Sequence, residues 1–382
     1  MPDSYPALRD RLAALGVLGP GTRAGGAGRH HPPLRDASPP FEIRRTARSV
    51  REVFGRERPH VADEAAVFLD TETTGLSGGT GTTPFLIGLA SIENGTVVVE
   101  QYFLRRLSGE PAMLEAVSER LEEAGALVTF NGRRFDWPIL EARAIIGRMR
   151  LHVPHEHQDL MSIARRLWYR PLGTYRLSVI ERQALGIERG DDIDSAQIPG
   201  MYLEYLRTGE SELIEPIFAH NRSDIVSLIH LRRRARRWIE EGEDPPPPVD
   251  WEGLGVLRLA ACDETGAEAA LRRALSVEDD PAVRWRTGLR LARIFRRSAR
   301  WDDLLHLWQH EIGGRGAWRV KALIETAKVY QRKTKQPHRA VAALREASGI
   351  VEWLLLRDEP NADAWDGEVR GRLARLRARG AV

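Results

Sequence analysis

Four consecutive prolines, Pro245 to Pro248, divide the 382-residue chain into two parts with different sequence patterns. Proline fixes φ and lacks an N–H group, so this run cannot continue a helix or a central strand and favours a stiff, extended spacer. Apolar strands and helical patterns alternate before it, whereas the apolar spacing after it is helical. We therefore predict an acidic and polyproline linker at residues 243–250, between an α/β domain at 63–242 and an all-α domain at 251–358.

The two ends of the chain are expected to lie outside these domains. Residues 1–62 are predicted to form an arm, with a short helix followed by a Gly- and Pro-rich segment that has too few large apolar residues to repay the entropy of ordering. Residues 359–382 are predicted to form a basic tail. Within the all-α domain, similar segments begin at Leu291 and Thr326, 35 residues apart. This spacing is close to the tetratricopeptide period of ~34 residues, and a plain helical bundle is the alternative.

The composition is that of a soluble globular chain. There are 57 Lys and Arg against 54 Asp and Glu, a net charge of +3, and 42% of the residues are hydrophobic. Wholesale disorder and a fibrous protein are therefore excluded. No apolar run approaches the roughly 20 residues of a membrane-spanning helix, and the single cysteine, Cys262, cannot form an internal disulfide. We expect a cytoplasmic protein.

The α/β part is predicted to contain a mixed sheet flanked by helices. A buried strand at Val67–Leu69 is followed by two more strands, which Asn94-Gly95 joins in a tight hairpin. A helix and a fourth strand at Ala126–Phe130 follow, and the crossover should return that strand parallel to the first. Further helices are predicted to start near Trp137 and Pro216. The first three strands are thus expected to be antiparallel and the later pairing parallel.

Two acids at the end of the first strand suggest a metal site. Asp70 and Glu72 are two residues apart, so their side chains project from the same face of the strand. Two carboxylates this close repel each other unless a cation lies between them, and hard oxygen ligands suit Mg²⁺ or Mn²⁺. The alternative is an ordinary strand-end turn with solvated acids.

Three further polar residues lie where a site could be assembled. Asp136 falls where the fourth strand gives way to a helix, and strand ends are where α/β proteins usually build their sites. Stabilisation of the helix N-terminus is the alternative role. His220 and Asp224 are four residues apart and share one face of the last helix of this part. A buried Asp224 needs a compensating charge, which a metal or a structural pair with His220 would supply.

These residues carry a resemblance to a known family. FLDTETTGL, FNGRRFDWPIL and HNRSDIVSL resemble the three exonuclease motifs of the DEDD superfamily, which has an RNase H-like fold. GLSGGTGTTPFLIGLA, HQDLMSIARRLW and IPGMYLEYLRTG resemble the YprB-like proteins, a family of predicted exonucleases that often carry tetratricopeptide-like C-terminal helices. The resemblance covers roughly residues 63–242 and, more loosely, the helical region. It places Asp70 and Glu72 in the first motif, Asp136 in the second and Asp224 in the third.

The resemblance implies a 3′→5′ exonuclease that hydrolyses single-stranded DNA or RNA with two Mg²⁺ or Mn²⁺ ions. Asp70 would bridge both ions, Glu72 and Asp224 would complete the site on the nucleophile side, and Asp136 would hold the ion on the leaving-group side. His220 would accept a proton from the attacking water. Superfamily members with histidine in the third motif usually place it five residues before the aspartate, whereas His220 lies four before, in the position that tyrosine takes in other members.

Two other functions remain open at this point. The same fold and acids would serve a structure-selective endonuclease. The chain could also be a nucleic-acid-binding scaffold with a weak or lapsed nuclease site, whose helical region is a candidate surface for a protein partner. The arginine run at 232–237 fits a grip on the nucleic-acid backbone, with a solvated helix face as the alternative.

Overall fold

The computed structural model describes residues 39–55, 61–75, 81–189 and 192–378, apart from the side chains of Val61 and Ala62. These residues form two compact units. The first contains the described chain up to Ser162 and Arg176–Arg234, and the second contains Ile163–Tyr175 and the described chain from Ala235 onwards. The polyproline segment therefore lies within the second unit, and the division falls earlier than predicted.

The first unit is built on a mixed sheet, as predicted. Its strands are β1 (Phe41–Ser49), β2 (Ala66–Thr73), β3 (Pro84–Glu93), β4 (Thr96–Leu104), β5 (Ala126–Thr129) and β6 (Glu156–Asp159). Their order across the sheet is β1-β4-β3-β2-β5-β6. The pairs β1–β4, β4–β3 and β3–β2 are antiparallel, whereas β5 is parallel to both β2 and β6.

The helices follow in chain order. The first eight helices of the described residues, of which α8 is the last with residues in the first unit, are α1 (Val50–Phe54), α2 (Val61–Glu64), α3 (Glu110–Glu122), α4 (Asp136–Ile146), α5 (Leu160–Leu172), α6 (Leu177–Ile180), α7 (Ile198–Thr208) and α8 (Glu215–Ile239). The remaining helices are α9 (Trp251–Ala260), α10 (Glu264–Val277), α11 (Pro281–Arg297), α12 (Trp301–His306), α13 (Ala317–Arg332), α14 (Pro337–Leu355) and α15 (Ala362–Arg377). No helix among the described residues is long and apolar enough to cross a membrane.

Strand β1 corrects the prediction of an arm over residues 1–62. It pairs with the whole of β4, from Phe41 opposite Leu104 to Ser49 opposite Thr96. The strand is rich in charge because it lies at an edge of the sheet, where Arg44 pairs with Glu42 and Glu215 and covers the ring of Phe218 at 3.7 Å. Its charges thus hid a strand that forms part of the sheet. The predicted short helix and the Gly/Pro-rich segment lie in residues 1–38, outside the described residues.

A glycine allows helix α8 to approach the sheet closely. A Cβ atom on Gly88, in β3, would lie 2.1 Å from Cδ1 of Ile225 and 2.3 Å from Oδ1 of Asn221. Any larger residue at this position would therefore push the helix away. The absence of a side chain at Gly88 brings the segment containing His220 and Asp224 next to β2.

The second unit is all-helical, as predicted. Consecutive helices pack against each other, including α9 on α10, α10 on α11, and α13 on α14. Leu291 and Thr326, which begin the two similar sequence segments, are both buried, and the tetratricopeptide-like repeat itself stays a prediction. Residues 359–382 are not simply a basic tail, because α15 buries Ala362, Val369 and Leu376 in the same core. Its apolar residues are widely spaced among arginines, which obscured the helix in the sequence.

Candidate active site

The four predicted acids lie on three elements of the first unit. Asp70 and Glu72 are on β2, Asp136 is the first residue of α4, and Asp224 is on α8. Burial raises the pKa of Asp70 well above its ordinary value, and the negative charges of Asp224, Glu72 and Asp136 raise it further. Burial and the charges of Asp224, Asp136 and Asp192 raise the pKa of Glu72 in the same way. Because Coulomb interactions weaken with distance, the four acids form one electrostatic cluster.

Asp70 is held in place by a buried amide relay. The Nδ2 group of Asn221 donates to Oδ2 of Asp70 at 2.9 Å. In turn, Nε2 of Gln101 donates to Oδ1 of Asn221 and to the carbonyl of Phe218, each at 2.9 Å. Asn221 and Gln101 are almost fully buried, so this bonding pattern directs the Asn221 NH₂ group at Asp70. Sequence reasoning missed Asn221, although it directly follows His220.

Asp136, the acid of the second motif, is hydrogen-bonded to strand β2. It accepts a hydrogen bond from the hydroxyl of Thr71, the residue between Asp70 and Glu72. Burial raises its pKa to about 6, although this bond and nearby backbone N–H groups act in the opposite direction. The loop before it is shaped by Asp159, whose carboxylate accepts from the backbone N–H groups of Asn131 and Arg133. Asp159 therefore supports the loop that carries the second motif.

His220 reaches the acidic cluster despite its unusual position in the motif. Its Nδ1 lies 2.6 Å from Oδ1 of Asp192, and its Nε2 lies 3.7 Å from Oδ2 of Asp224 and 3.4 Å from the hydroxyl of Ser195. The carboxylate of Asp192 favours the tautomer with a proton on Nδ1. The basic nitrogen of the neutral ring, Nε2, then faces the cluster. Nothing in the sequence pattern pointed to Asp192.

Arg189 supplies a charge that the sequence did not reveal. Its guanidinium makes two contacts with Glu181, at 2.5 and 2.6 Å, one with Asp192 at 2.8 Å, and an ion pair with Asp224. Burial raises the pKa of Asp224, and the charges of Arg189 and His220 oppose that rise. The predicted need of Asp224 for a compensating charge is thus met within the protein. The segment has no regular periodicity, so only the folded chain shows this neighbour.

Comparison with known proteins agrees with this architecture. Residues 67–236 match the family described as RNase_H superfamily. The Uncharacterized protein YprB of Bacillus subtilis (strain 168) is 30% identical over 286 residues, which cover 73% of this chain and 68% of the relative. The chain belongs to the RNase H superfamily. All four acids lie within the matched residues, on the sheet and the helices that the match covers.

The acids of this RNase H superfamily domain fit hard divalent cations in their chemistry. They are carboxylates that repel one another, and their oxygens are the ligands that Mg²⁺ and Mn²⁺ prefer. In the described part of the chain, however, no three His, Cys, Asp or Glu side chains are grouped closely enough to hold one ion as they stand. Asn221 and Arg189 already contact two of the four acids. Binding an ion through three of the acids therefore requires side chains to turn.

The arginine run of the RNase H superfamily domain is not the predicted backbone grip. Arg232, Arg233 and Arg236 are buried. Arg232 donates to Gln158 and Asp63, each at 2.8 Å, and the guanidinium of Arg233 lies 4.1 Å from the ring centre of Phe54. Arg232 and Arg233 thus tie α8 to other elements of the first unit. Both the backbone grip and the alternative of a solvated helix face are wrong for these three residues, because their side chains are turned toward the protein.

Two other sequence features have different outcomes. Trp137 is buried, as core packing predicts, and its Nε1 donates to Glu141 at 2.9 Å. The glycine-rich segment from Ser77 to Thr83 lies largely outside the described residues.

Proposed function

We propose that this RNase H superfamily protein is a metal-dependent nuclease that acts as a 3′→5′ exonuclease on single-stranded DNA or RNA. The observation that supports this most is the electrostatic cluster of Asp70, Glu72, Asp136 and Asp224. Several neighbouring acids with raised pKa values are costly to fold, and such clusters are typical of functional sites. Membership of the superfamily favours nuclease chemistry, and the direction of cleavage rests on the resemblance to the DEDD motifs.

The protein's own side chains have distinct roles in this proposal. Asp70, Glu72, Asp136 and Asp224 would hold two Mg²⁺ or Mn²⁺ ions. Bound ions would polarise the phosphodiester and lower the pKa of the attacking water. Nε2 of His220 would accept a proton from that water, while Asp192 keeps the ring in the required tautomer. The expected products are nucleoside 5′-monophosphates.

Two positioning residues support this arrangement. Asn221 holds Oδ2 of Asp70, which leaves the other oxygen of the carboxylate for a ligand. Thr71 holds Oδ1 of Asp136 in the same way. Fixing the acids before substrate arrives reduces the reorganisation needed during reaction.

One observation favours a second candidate function, a nucleic-acid-binding scaffold with a weak nuclease site. Arg189 forms an ion pair with Asp224, the acid of the third motif. A resident cation at this position would compete with a metal ion for the same carboxylate. If that competition is won by Arg189 at cellular concentrations of Mg²⁺, the chain would bind nucleic acid without cutting it.

A labelled single strand separates these functions. The full chain is incubated with 5′-labelled DNA and RNA in Mg²⁺, Mn²⁺ or EDTA. A descending ladder and release of 5′-monophosphates support the exonuclease, internal cuts and cleavage of a circular strand indicate an endonuclease, and binding without cleavage indicates a scaffold. Asp70→Asn should lower cleavage by at least about 100-fold, and Asp279→Asn, at an exposed acid, should not. Full metal-dependent activity in Asp70→Asn would reject the site.

A further inference from the structure

Helix α11, in the second unit, has an unusual concentration of arginine. Between Pro281 and Arg300 the sequence contains seven arginines and neither an acid nor a lysine. Arg284 is directed inward, where it donates to the backbone carbonyls of Leu275, Glu278 and Glu311. Most of the others lie at the surface, so the helix presents a strongly cationic face.

Part of this face borders a groove of about 260 Å³. Its cationic side is a row of four arginines, Arg286, Arg290, Arg293 and Arg297. The rest of the lining is apolar (Leu259, Leu289, Ile294) except for the acid Glu264. The spacing of four, three and four residues places the arginines on one side of the helix. At a rise of 1.5 Å per residue the row is about 16 Å long, which is more than a single small anion would occupy.

The groove carries an excess of positive charge. Glu252 pairs with both Arg286 and Arg290, and Glu264 pairs with Arg297 at 2.9 Å. Four arginines against these two carboxylates leave a charge of +2. Arg293 is exposed and has no ion pair or hydrogen bond among the described residues. The ion pair of Glu264 with Arg297 lies at the surface and contributes only about 0–1 kcal/mol, so a polyanion can exchange with it, whereas the buried Glu252 stays with Arg286 and Arg290.

We propose that this groove, which we call the α11 groove, binds the phosphate backbone of single-stranded nucleic acid. The groove would contact the same class of substrate as the proposed nuclease site, at a second place on the chain. The choice of nucleic acid as the bound polyanion rests on the proposed function. Guanidinium groups match phosphate oxygens in a two-point geometry that lysine does not offer, and every cation of the groove is arginine. Leu289, with 43% of its surface exposed, offers an apolar contact to a base or sugar between the phosphates.

Binding without metal tests the groove separately from cleavage. The full chain in EDTA is titrated into fluorescein-labelled oligo-dT and oligo-U, and anisotropy is followed over a series of salt concentrations. Arg293→Glu should weaken binding by about tenfold and reduce the slope of log K against log salt by about 0.7 for each phosphate that the variant no longer binds. Arg293→Lys should be intermediate. Arg345→Glu is the matched control, because Arg345 is an exposed arginine on α14 without an ion pair in the described part of the chain.

The outcomes distinguish the groove from the nuclease site. Equal affinities and salt slopes for Arg293→Glu and Arg345→Glu would overturn the groove, even if the wild-type chain cleaves DNA. Arg293-dependent binding without any cleavage would support the groove and reject the nuclease proposal. If a polyglutamate peptide binds with the same dependence on Arg293 while the oligonucleotides do not bind, the groove is a peptide site and this proposal fails.

Discussion

The side-chain amide of Asn221 donates a hydrogen bond to Oδ2 of Asp70 over 2.9 Å, and so connects helix α8 to strand β2 within the acidic cluster. Burial and three neighbouring acids raise the pKa of Asp70, and this bond opposes the rise because it stabilises the ionised carboxylate. Gly88 makes the close approach of the helix sterically possible. Asn221 is thus a positioning residue for Asp70.

We expect Asn221→Ala to change the pH dependence of cleavage. Loss of the donor raises the pKa of Asp70 further, so the acidic limb of the kcat/KM profile should move to higher pH. Activity on that limb should fall about tenfold for every pH unit that the limb moves. Ser223→Ala is a suitable control, because Ser223 is on the same helix and its hydroxyl donates to the backbone carbonyl of Ala219. A uniform loss of kcat with an unchanged pH profile would contradict this role.

His220 and Asp192 should act as one unit. Removing the ring in His220→Ala is expected to lower kcat by about 10²- to 10⁴-fold, the usual contribution of general base catalysis. Asp192→Asn should lower kcat through the wrong tautomer, since Asp192 contacts Nδ1 at 2.6 Å. The double variant should then be no slower than His220→Ala alone. Multiplying effects in the double variant would show that the two residues act independently.

The raised pKa of Asp136 makes a prediction about stability. The folded state holds the proton up to about pH 6, whereas the ordinary value is 3.8, so the metal-free protein loses stability as pH rises between these values. Asp136→Asn removes this loss and should raise the free energy of unfolding by about 1–3 kcal/mol at about pH 8, with little effect below about pH 4. Urea denaturation in EDTA measures the difference, with Asp279→Asn as the exposed control. A stabilisation that is equal at both pH values would show another cause.

Arg189 should control both stability and metal affinity. It is the cationic partner of Glu181, which is fully buried, and of Asp224. In EDTA, Arg189→Gln is therefore expected to lower the free energy of unfolding by about 3–5 kcal/mol. Because Asp224 is then released, Mn²⁺ should bind more tightly and raise Tm more than in the wild type.

Isothermal titration calorimetry of the metal-free chain with Mn²⁺ checks the second part. Arg182→Gln, at an exposed arginine of the same region, should leave the affinity for Mn²⁺ unchanged. A folded Arg189→Gln protein that binds Mn²⁺ no more tightly than the wild type would show that Arg189 does not compete for Asp224.

Local patterns were sufficient to locate much of the sheet and all four acids. The apolar run before Asp70 and the Asn94-Gly95 turn carry their signals within a few residues, so β2, β3 and β4 could be predicted. Strand β1 could not, because its charged residues are satisfied by distant partners. Helix α15 could not, because its buried residues Ala362, Val369 and Leu376 are widely spaced among charged residues. In β1, for example, Arg44 pairs with Glu215, and a contact between positions so far apart leaves no periodic signal.

The acids of the candidate site could be predicted from the sequence, whereas the residues that support them could not. The motifs indicated Asp70, Glu72, Asp136 and Asp224 because residue type and spacing are properties of the sequence. Asn221, Asp192 and Arg189 acquire their roles only through folding, which brings a helix, a strand and an irregular segment within hydrogen-bond distance. The sequence by itself determined which acids are available and on which elements they lie. Only the tertiary structure decided which partner each acid has, because hydrogen bonds and ion pairs depend on distances in space and not on separation along the chain.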